Sequence, residues 1–264
     1  MTTSTDRFRQ LHADGIFVMP NPYDLGSARL LAALGFPALA STSGGFAATL
    51  GRLDMQTTRD ELLAHVGPLA AATDLPLNVD SERCFADDAA GVTETVELLA
   101  DAGAAGCSIE DWNPVTNAID PVEVAVERVG AAAAGAARSG LVLTARCENH
   151  LHGVDNLDDT ISRLRAYVAA GAEVVYAPGL ADIGQITQVV KAAGVPVNIL
   201  IRPGGPSVEQ LGGAGVRRVS TGSLLSKIAL GAMVAAAEKL RDAGVIDNAE
   251  PFLSSRLAAQ ALHD

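Results

Sequence analysis

The chain predicts an α/β fold, a (β/α)₈ TIM barrel with an extra C-terminal helix. Three observations lead there. Eight short apolar stretches alternate with Ala- and Leu-rich segments of helical spacing along the whole chain, and strands that alternate with helices pair in parallel. Eight such units in 264 residues match the usual size of a barrel. Polar residues able to do chemistry stand just past most of the strands, at the C-terminal rim where barrels of this kind gather reactive groups. A doubly wound open sheet is the rival, because periodicity does not report closure.

The predicted strands are 16–20, 38–42, 75–80, 106–111, 141–149, 174–178, 197–201 and 218–222. The first leads into Asn21-Pro22-Tyr23-Asp24. After the second comes Ser41-Thr42-Ser43-Gly44-Gly45, where paired glycines let backbone N–H groups turn toward an anion. An ordinary strand-to-helix turn accounts for it equally well. Asp54 follows in a loop before the capping-type run from Thr57 to Glu61, either as a reactive acid or as a turn former.

The third strand ends Asn78-Val79-Asp80-Ser81-Glu82, with two carboxylates at an i, i+2 spacing on one side of an extended chain. The fourth ends Ile109-Glu110-Asp111. Adjacent strands would bring Asp80, Glu82 and Glu110 together, and carboxylates from neighbouring strand ends hold Mg²⁺, a hard ion that takes oxygen ligands and keeps several waters. Helix capping by the same acids is the alternative; the metal reading is preferred because two consecutive rims repeat the pattern. Farther on, the Ala/Gly tract 130–140 reads as the end of a helix packed close to the barrel.

The fifth strand places Arg146 inside an apolar run. A buried arginine needs an anionic partner, either a structural one such as Glu148 or Glu110, or a substrate carboxylate held bidentately. His150 and His152 read as solvated loop residues. Near strands seven and eight stand Asn198, Arg202 and Ser223, with Arg202 preceding Pro203-Gly204-Gly205.

Composition narrows the function classes. With 48% hydrophobic residues and no linker rich in Pro, Ser or charge, residues 1–264 read as a single domain. The first residues are polar, and no apolar run approaches the roughly 18 residues of a membrane span, so a soluble cytoplasmic protein is expected. Cys84, Cys107 and Cys147 lack metal or redox spacing and read as reduced core thiols. A net charge of −12 and a pI near 4.8 disfavour nucleic acid and anionic membranes as partners. An anionic substrate would need a divalent metal and buried arginines.

With these residues assembled, the chain resembles the isocitrate lyase and phosphoenolpyruvate mutase superfamily over nearly its whole length. The motifs that carry the resemblance, in order, are Asn21-Pro22-Tyr23-Asp24 with Ser27-Ala28-Arg29, Thr42-Ser43-Gly44, Gly51 to Asp54, Val79-Asp80-Ser81-Glu82, Gly103-Ala104-Ala105-Gly106 with Ile109-Glu110-Asp111, and Ala145-Arg146. The resemblance implies a barrel in a homo-oligomer, tetramer or dimer, with a C-terminal helix within 249–264 exchanged between subunits. It implies Mg²⁺, with Mn²⁺ an alternative, anchoring a small anionic 2-oxo acid or its enolate. Carried over by position, Asp80 is the direct metal ligand, while Glu82, Glu110 and Asp54 act largely through water. Ser43, Gly44 and Gly45 hold the carboxylate end, Arg146 binds the oxygen, and Tyr23 and Asn198 complete the substrate-binding set.

Departures from the pattern shape the functional expectation. The isocitrate and methylisocitrate lyases carry a Lys-x-Cys-Gly loop after the fourth strand, and here that segment runs Trp112-Asn113-Pro114-Val115-Thr116-Asn117-Ala118. Thr116-Asn117 instead resembles the gating loop of the mutase and phosphonopyruvate hydrolase branch, which makes Asn117 a candidate contact to the reacting group. Val115 stands where that branch has lysine, and Glu82 where the family usually has Asp. At the sixth strand Tyr176-Ala177-Pro178 replaces the acid of the lyases, suggesting a small substrate. The expectation is a Mg²⁺-dependent lyase of a small 2-oxo acid, with oxaloacetate decarboxylation the simplest instance. Hydrolysis of oxaloacetate or phosphonopyruvate, mutase-like P–C chemistry and a non-catalytic 2-oxo acid binding protein are the alternatives.

Overall fold

The computed structural model describes residues 3–246 and 252–262. Eight parallel strands form the barrel: β1 (Phe17–Met19), β2 (Leu39–Ala40), β3 (Leu77–Asp80), β4 (Gly106–Glu110), β7 (Val142–Arg146), β8 (Val174–Tyr176), β9 (Val197–Leu200) and β10 (Arg218–Ser220). Two further strands, β5 (Trp112–Asn113) and β6 (Ala118–Ile119), make a separate antiparallel hairpin between β4 and β7. Every predicted barrel strand is present, each shorter than the apolar run that marks it.

Strand order runs β1-β10-β9-β8-β7-β4-β3-β2, so chain order is kept around the sheet and its two ends meet. Ala40 N–H donates to the Pro20 carbonyl at 3.0 Å across that seam, which excludes the doubly wound alternative. Asn21 clips the seam together. Its Nδ2 donates to the Ser41 carbonyl, and its Oδ1 accepts from the backbone N–H groups of Thr221 and Gly222 at 2.8 and 2.9 Å.

The N-terminal mouth is plugged by a helix that the strand pattern does not anticipate, Ser4–Leu11, started by a Thr3/Asp6 capping box. Its Phe8 is fully buried and meets His12 and Phe17 edge to face. Gly106 makes room: a Cβ there would stand 2.7 Å from Phe8 Cε1 and 2.8 Å from the Val142 carbonyl oxygen. The plug leaves chemistry to the opposite rim.

The Ala-rich helix spans Val122–Ser139 and ends on Gly140 in the left-handed conformation (φ 84°). Its closest approach is to the neighbouring helix Ala89–Asp101 rather than to the barrel. A Cβ on Gly135 would meet the Thr93 carbonyl at 2.8 Å. Of the expected helix in 249–264, residues 249–251, 263 and 264 lie outside the described residues. Ser255–Ala261 is helical and packs on Leu25–Ala33 of the same chain. Among the described residues no helix is long and apolar enough to cross a membrane.

Candidate active site

The site is built where β3, β4 and β7 end side by side. Register pairs Asp80 with Ser108 and Glu110 with Arg146, so the acids of two strands face the arginine of a third. Arg146 donates to Asp80 Oδ1 at 2.7 Å and to Glu148 Oε1 at 2.8 Å, and lies 3.1 Å from Glu110 Oε2. Both structural partners anticipated from sequence, Glu148 and Glu110, are therefore present, and Asp80 joins them.

The other oxygen of Asp80 accepts the Ser43 N–H at 3.1 Å, and the Asp80 N–H donates to Ser41 Oγ at 2.9 Å. The Ser-Thr-Ser-Gly-Gly segment is thus tied to the metal-motif acid. It forms the first turn of a helix, Ser43–Thr49, capped by Thr42, whose hydroxyl accepts the Gly45 N–H. Both glycine positions are tight, Gly45 more so than Gly44. A Cβ on Gly45 would stand 2.5 Å from Thr42 Cγ2 and 2.9 Å from Tyr23 Cβ; on Gly44 it would stand 2.9 Å from both Asp54 Oδ2 and Ser223 Oγ.

Electrostatics concentrate on the same spot. Burial, then the charges of Asp80 and Asp54, pushes the Glu82 carboxyl up to about 8. Glu82 also holds a left-handed backbone (φ 49°), which is strained for a residue other than glycine. Burial raises Glu110 well above the usual carboxylate range, with Arg146 pulling it back, and acts likewise on Glu148. Among the described residues, no group of three His, Cys, Asp or Glu side chains stands ready to chelate a metal directly. The donor set still fits a hard divalent ion. Acids crowded enough to raise one another favour an added cation, and an ion that keeps its waters takes one direct carboxylate and reaches the others indirectly.

A cavity of about 350 Å³ opens beside these groups, within the usual range of small-molecule sites. Asp54, Ser43, Asp80, Arg146 and Asn198 line it. Gly44 and Gly45 form the wall behind Ser43, Tyr23 backs Gly45, and Glu82 and Glu110 stand buried in the shell behind Asp80. The Asn198 amide is engaged at both ends, donating to Ser220 and accepting from Arg218.

Asn117 is the candidate that the fold does not bring to the cavity. The segment expected as a loop is the β5–β6 hairpin, with Asn113 Oδ1 accepting from the Val115 and Thr116 N–H groups. Asn117 sits exposed at its tip with φ 52°, a left-handed position that asparagine tolerates. Nor is His150 solvated: its side chain is 7% exposed and its Nε2 meets Thr160 Oγ1 at 3.0 Å. His152 is exposed but stacks on Trp112.

Sequence reasoning passed over three residues. Asp111 is buried and ties the rim together, accepting from Glu148 N–H at 2.8 Å and Tyr167 O–H at 2.6 Å. Tyr176 lines the cavity with its ring 5.3 Å from the Arg146 guanidinium carbon, so the sixth strand does supply a polar group. Arg218 forms part of the cavity floor. Its signal was an arginine opening an apolar strand, in phase with Ser220.

The sequence pattern of the Phosphoenolpyruvate phosphomutase family matches residues 8–241, and the chain belongs to that family. Oxaloacetate decarboxylase 2 of Pseudomonas fluorescens is 31% identical over 253 residues, covering 92% of this chain and 84% of the relative. Among solved structures, a Burkholderia cenocepacia protein provisionally described as a lyase/mutase shares 44% identity with TM-score 0.91, over 96% of this chain and 93% of that one. Oxaloacetate acetylhydrolase, solved with its product oxalate, shares 26% identity with TM-score 0.87, over 98% and 94%. The chain's general reaction class is that of this lyase and mutase superfamily.

Proposed function

We propose that the protein is a Mg²⁺-dependent lyase that breaks the C–C bond joining the pyruvyl unit to the rest of a small 2-oxo acid, one carbon beyond the oxo group, with decarboxylation of oxaloacetate as the leading instance. The observation that carries this is Arg146 on the cavity wall among Asp80, Glu110 and Glu148, in a chain without the Lys-x-Cys-Gly loop. Asp80 would hold the metal, with Glu82, Glu110 and Asp54 behind it. Bound there, the ion would supply positive charge to the oxo and carboxylate oxygens. Ser43 and the Gly44-Gly45 turn orient the carboxylate. Arg146 faces the oxo oxygen, where negative charge gathers as the bond breaks, and a fixed cation favours that charge. Loss of CO₂ asks for no general acid at the bond-breaking step, which agrees with an Asn117 held away from the cavity.

Hydrolytic cleavage is the second reading, favoured by Asp54 on the cavity wall against Gly44, where its carboxylate can orient water. Self-association also belongs to the proposal. The helix Leu224–Ala243 exposes Ile228 and Met233 at 57% and 59%, an apolar face suited to a second copy.

Calorimetric titration of oxalate into EDTA-treated protein, with and without Mg²⁺, tests the site. Binding that requires Mg²⁺ is expected; none in either condition overturns the reading. Pyruvate and CO₂ from oxaloacetate mark the lyase, acetate and oxalate the hydrolase.

A further inference from the structure

Arg218 is 1% exposed, inside the barrel beneath the rim. Its Nε donates to Asn198 Oδ1 and its Nη2 to Thr144 Oγ1, each at 2.9 Å, while Nη1 lies 3.3 Å from His12 Nε2. All three partners are neutral, since burial and then Arg218 itself hold His12 down to about 3. Among the described residues no carboxylate contacts it; the Phe8 ring lies 5.9 Å from its guanidinium carbon, and Tyr176 favours its charge. A buried cation without a counter-charge is costly, and these three contacts leave N–H donors of the guanidinium fork free.

The space beside Arg218 is not closed. The cavity that Asp80 and Arg146 line also reaches Arg218, and Asn78 and Ser108 line it too. Asn78 Oδ1 is buried without a hydrogen-bond partner, and the Asn78 side chain belongs to the lining of the same cavity. Thr144, which Arg218 reaches, stands two residues before Arg146 on β7, about 6.6 Å along the strand. The two arginines therefore stand at different depths of one cavity.

We propose that the cavity floor is an anion subsite in which Arg218, helped by Asn78, takes one carboxylate- or halide-sized monoanion below the rim site. Two sources share this chemistry: a free monoanion, or the far carboxylate of a ligand whose other end lies at Asp80 and Arg146. The second source rests on the 2-oxo acid reading above and would move its leading instance from decarboxylation to hydrolysis. A guanidinium stabilises a carboxylate and not neutral CO₂, so a carboxylate anchored there is retained during cleavage, which favours hydrolysis over decarboxylation.

The test uses Mg²⁺-loaded wild type and the Arg218→Met and Arg218→Lys variants, with three probes: bromide, L-malate, and 2-hydroxybutyrate, which matches malate in length but lacks its far carboxylate. A free-ion subsite gives a bromide-dependent rise in Tm and an anomalous bromide peak at Arg218, lost in Arg218→Met and partly kept in Arg218→Lys. A far-carboxylate subsite gives malate binding at least about tenfold tighter than 2-hydroxybutyrate, the ratio falling to near one in Arg218→Met. The proposal is overturned if wild type shows neither a bromide effect nor a malate preference, a result that needs no variant to fold. It is also overturned if Arg218→Met, still binding oxalate with Mg²⁺, keeps both. A bromide site without any oxalate binding upholds the subsite and rejects the 2-oxo acid reading.

Discussion

Two arginines stand inside this barrel, and their surroundings are opposites. Arg146 ends β7 and meets three carboxylates, Asp80, Glu110 and Glu148. Arg218 begins β10 and meets an amide, a hydroxyl and a neutral imidazole. Position along the strand makes the difference. The C-terminal ends of β3, β4 and β7 carry acids, so an arginine ending there is neutralised by its neighbours. Among the described residues the barrel interior offers Arg218 an amide, a hydroxyl, a neutral imidazole and aromatic rings but no acid, so Arg218 keeps its charge for whatever enters the cavity. One arginine is part of a charge network that a metal would complete; the other is a charge still seeking a partner.

Breaking the acidic side of the comparison should have the largest effect. Asp80→Ala removes the acid that contacts both Arg146 and the Ser43 N–H. Mg²⁺-dependent oxalate binding should disappear and turnover should fall by about 10³-fold or more; steady-state kinetics showing full activity would reject Asp80 as the ligand. Next comes Arg146→Met, which leaves the three acids without their shared cation. Urea unfolding at pH 7 should show a loss of about 3–5 kcal/mol, and MgCl₂ should restore the variant more than it stabilises wild type.

The glycines give an intermediate test. Gly45→Ala drives a methyl against Thr42 and Tyr23 and should cost about 1–3 kcal/mol of stability while weakening oxalate binding. Gly44→Ala meets only the ends of the Asp54 and Ser223 side chains, which can move. It should weaken oxalate binding with a smaller loss of stability, and equal losses for the two variants would count against this reading of the turn.

At neutral pH the smallest effect concerns His12, whose contribution changes only as the medium becomes acidic. Its folded-state value of about 3 lies below its ordinary 6.5, because of burial and then Arg218. The unfolded chain therefore takes up a proton first as pH falls. Stability contributed by the neutral imidazole is fully present above pH 6.5 and is lost toward pH 3, with a slope of at most about 1.4 kcal/mol per pH unit. In a series of urea titrations, His12→Gln should flatten the wild-type profile between pH 6.5 and pH 4. An unchanged slope would mean that His12 is protonated beside Arg218.

The fold was largely legible because its signal is local. Apolar runs of strand length and helical spacing repeat within windows of about a dozen residues, and all eight barrel strands appear where the pattern places them. The helix Ser4–Leu11 escaped because it is mostly polar and buries little beyond Phe8. At the site, the acids at two successive rims and the paired glycines were readable, since each motif lies within one strand end. Asn117 misled because a motif shared with a gating loop also satisfies the turn chemistry of a hairpin. His150 misled because a loop position does not report the Thr160 hydroxyl packed against it.

By itself, the sequence determined the alternation that makes a barrel, the rim that carries the acids and the turn that needs glycine. Only the tertiary structure decided which acids share Arg146, that Asn21 clips the seam where β1 meets β2, that Asn117 stays outside, and that Arg218 is left without an acid at the cavity floor. Apart from the local hairpin that carries Asn117, those outcomes join residues from elements far apart in the chain. Their meeting depends on register and closure around the whole sheet, and no local pattern encodes either.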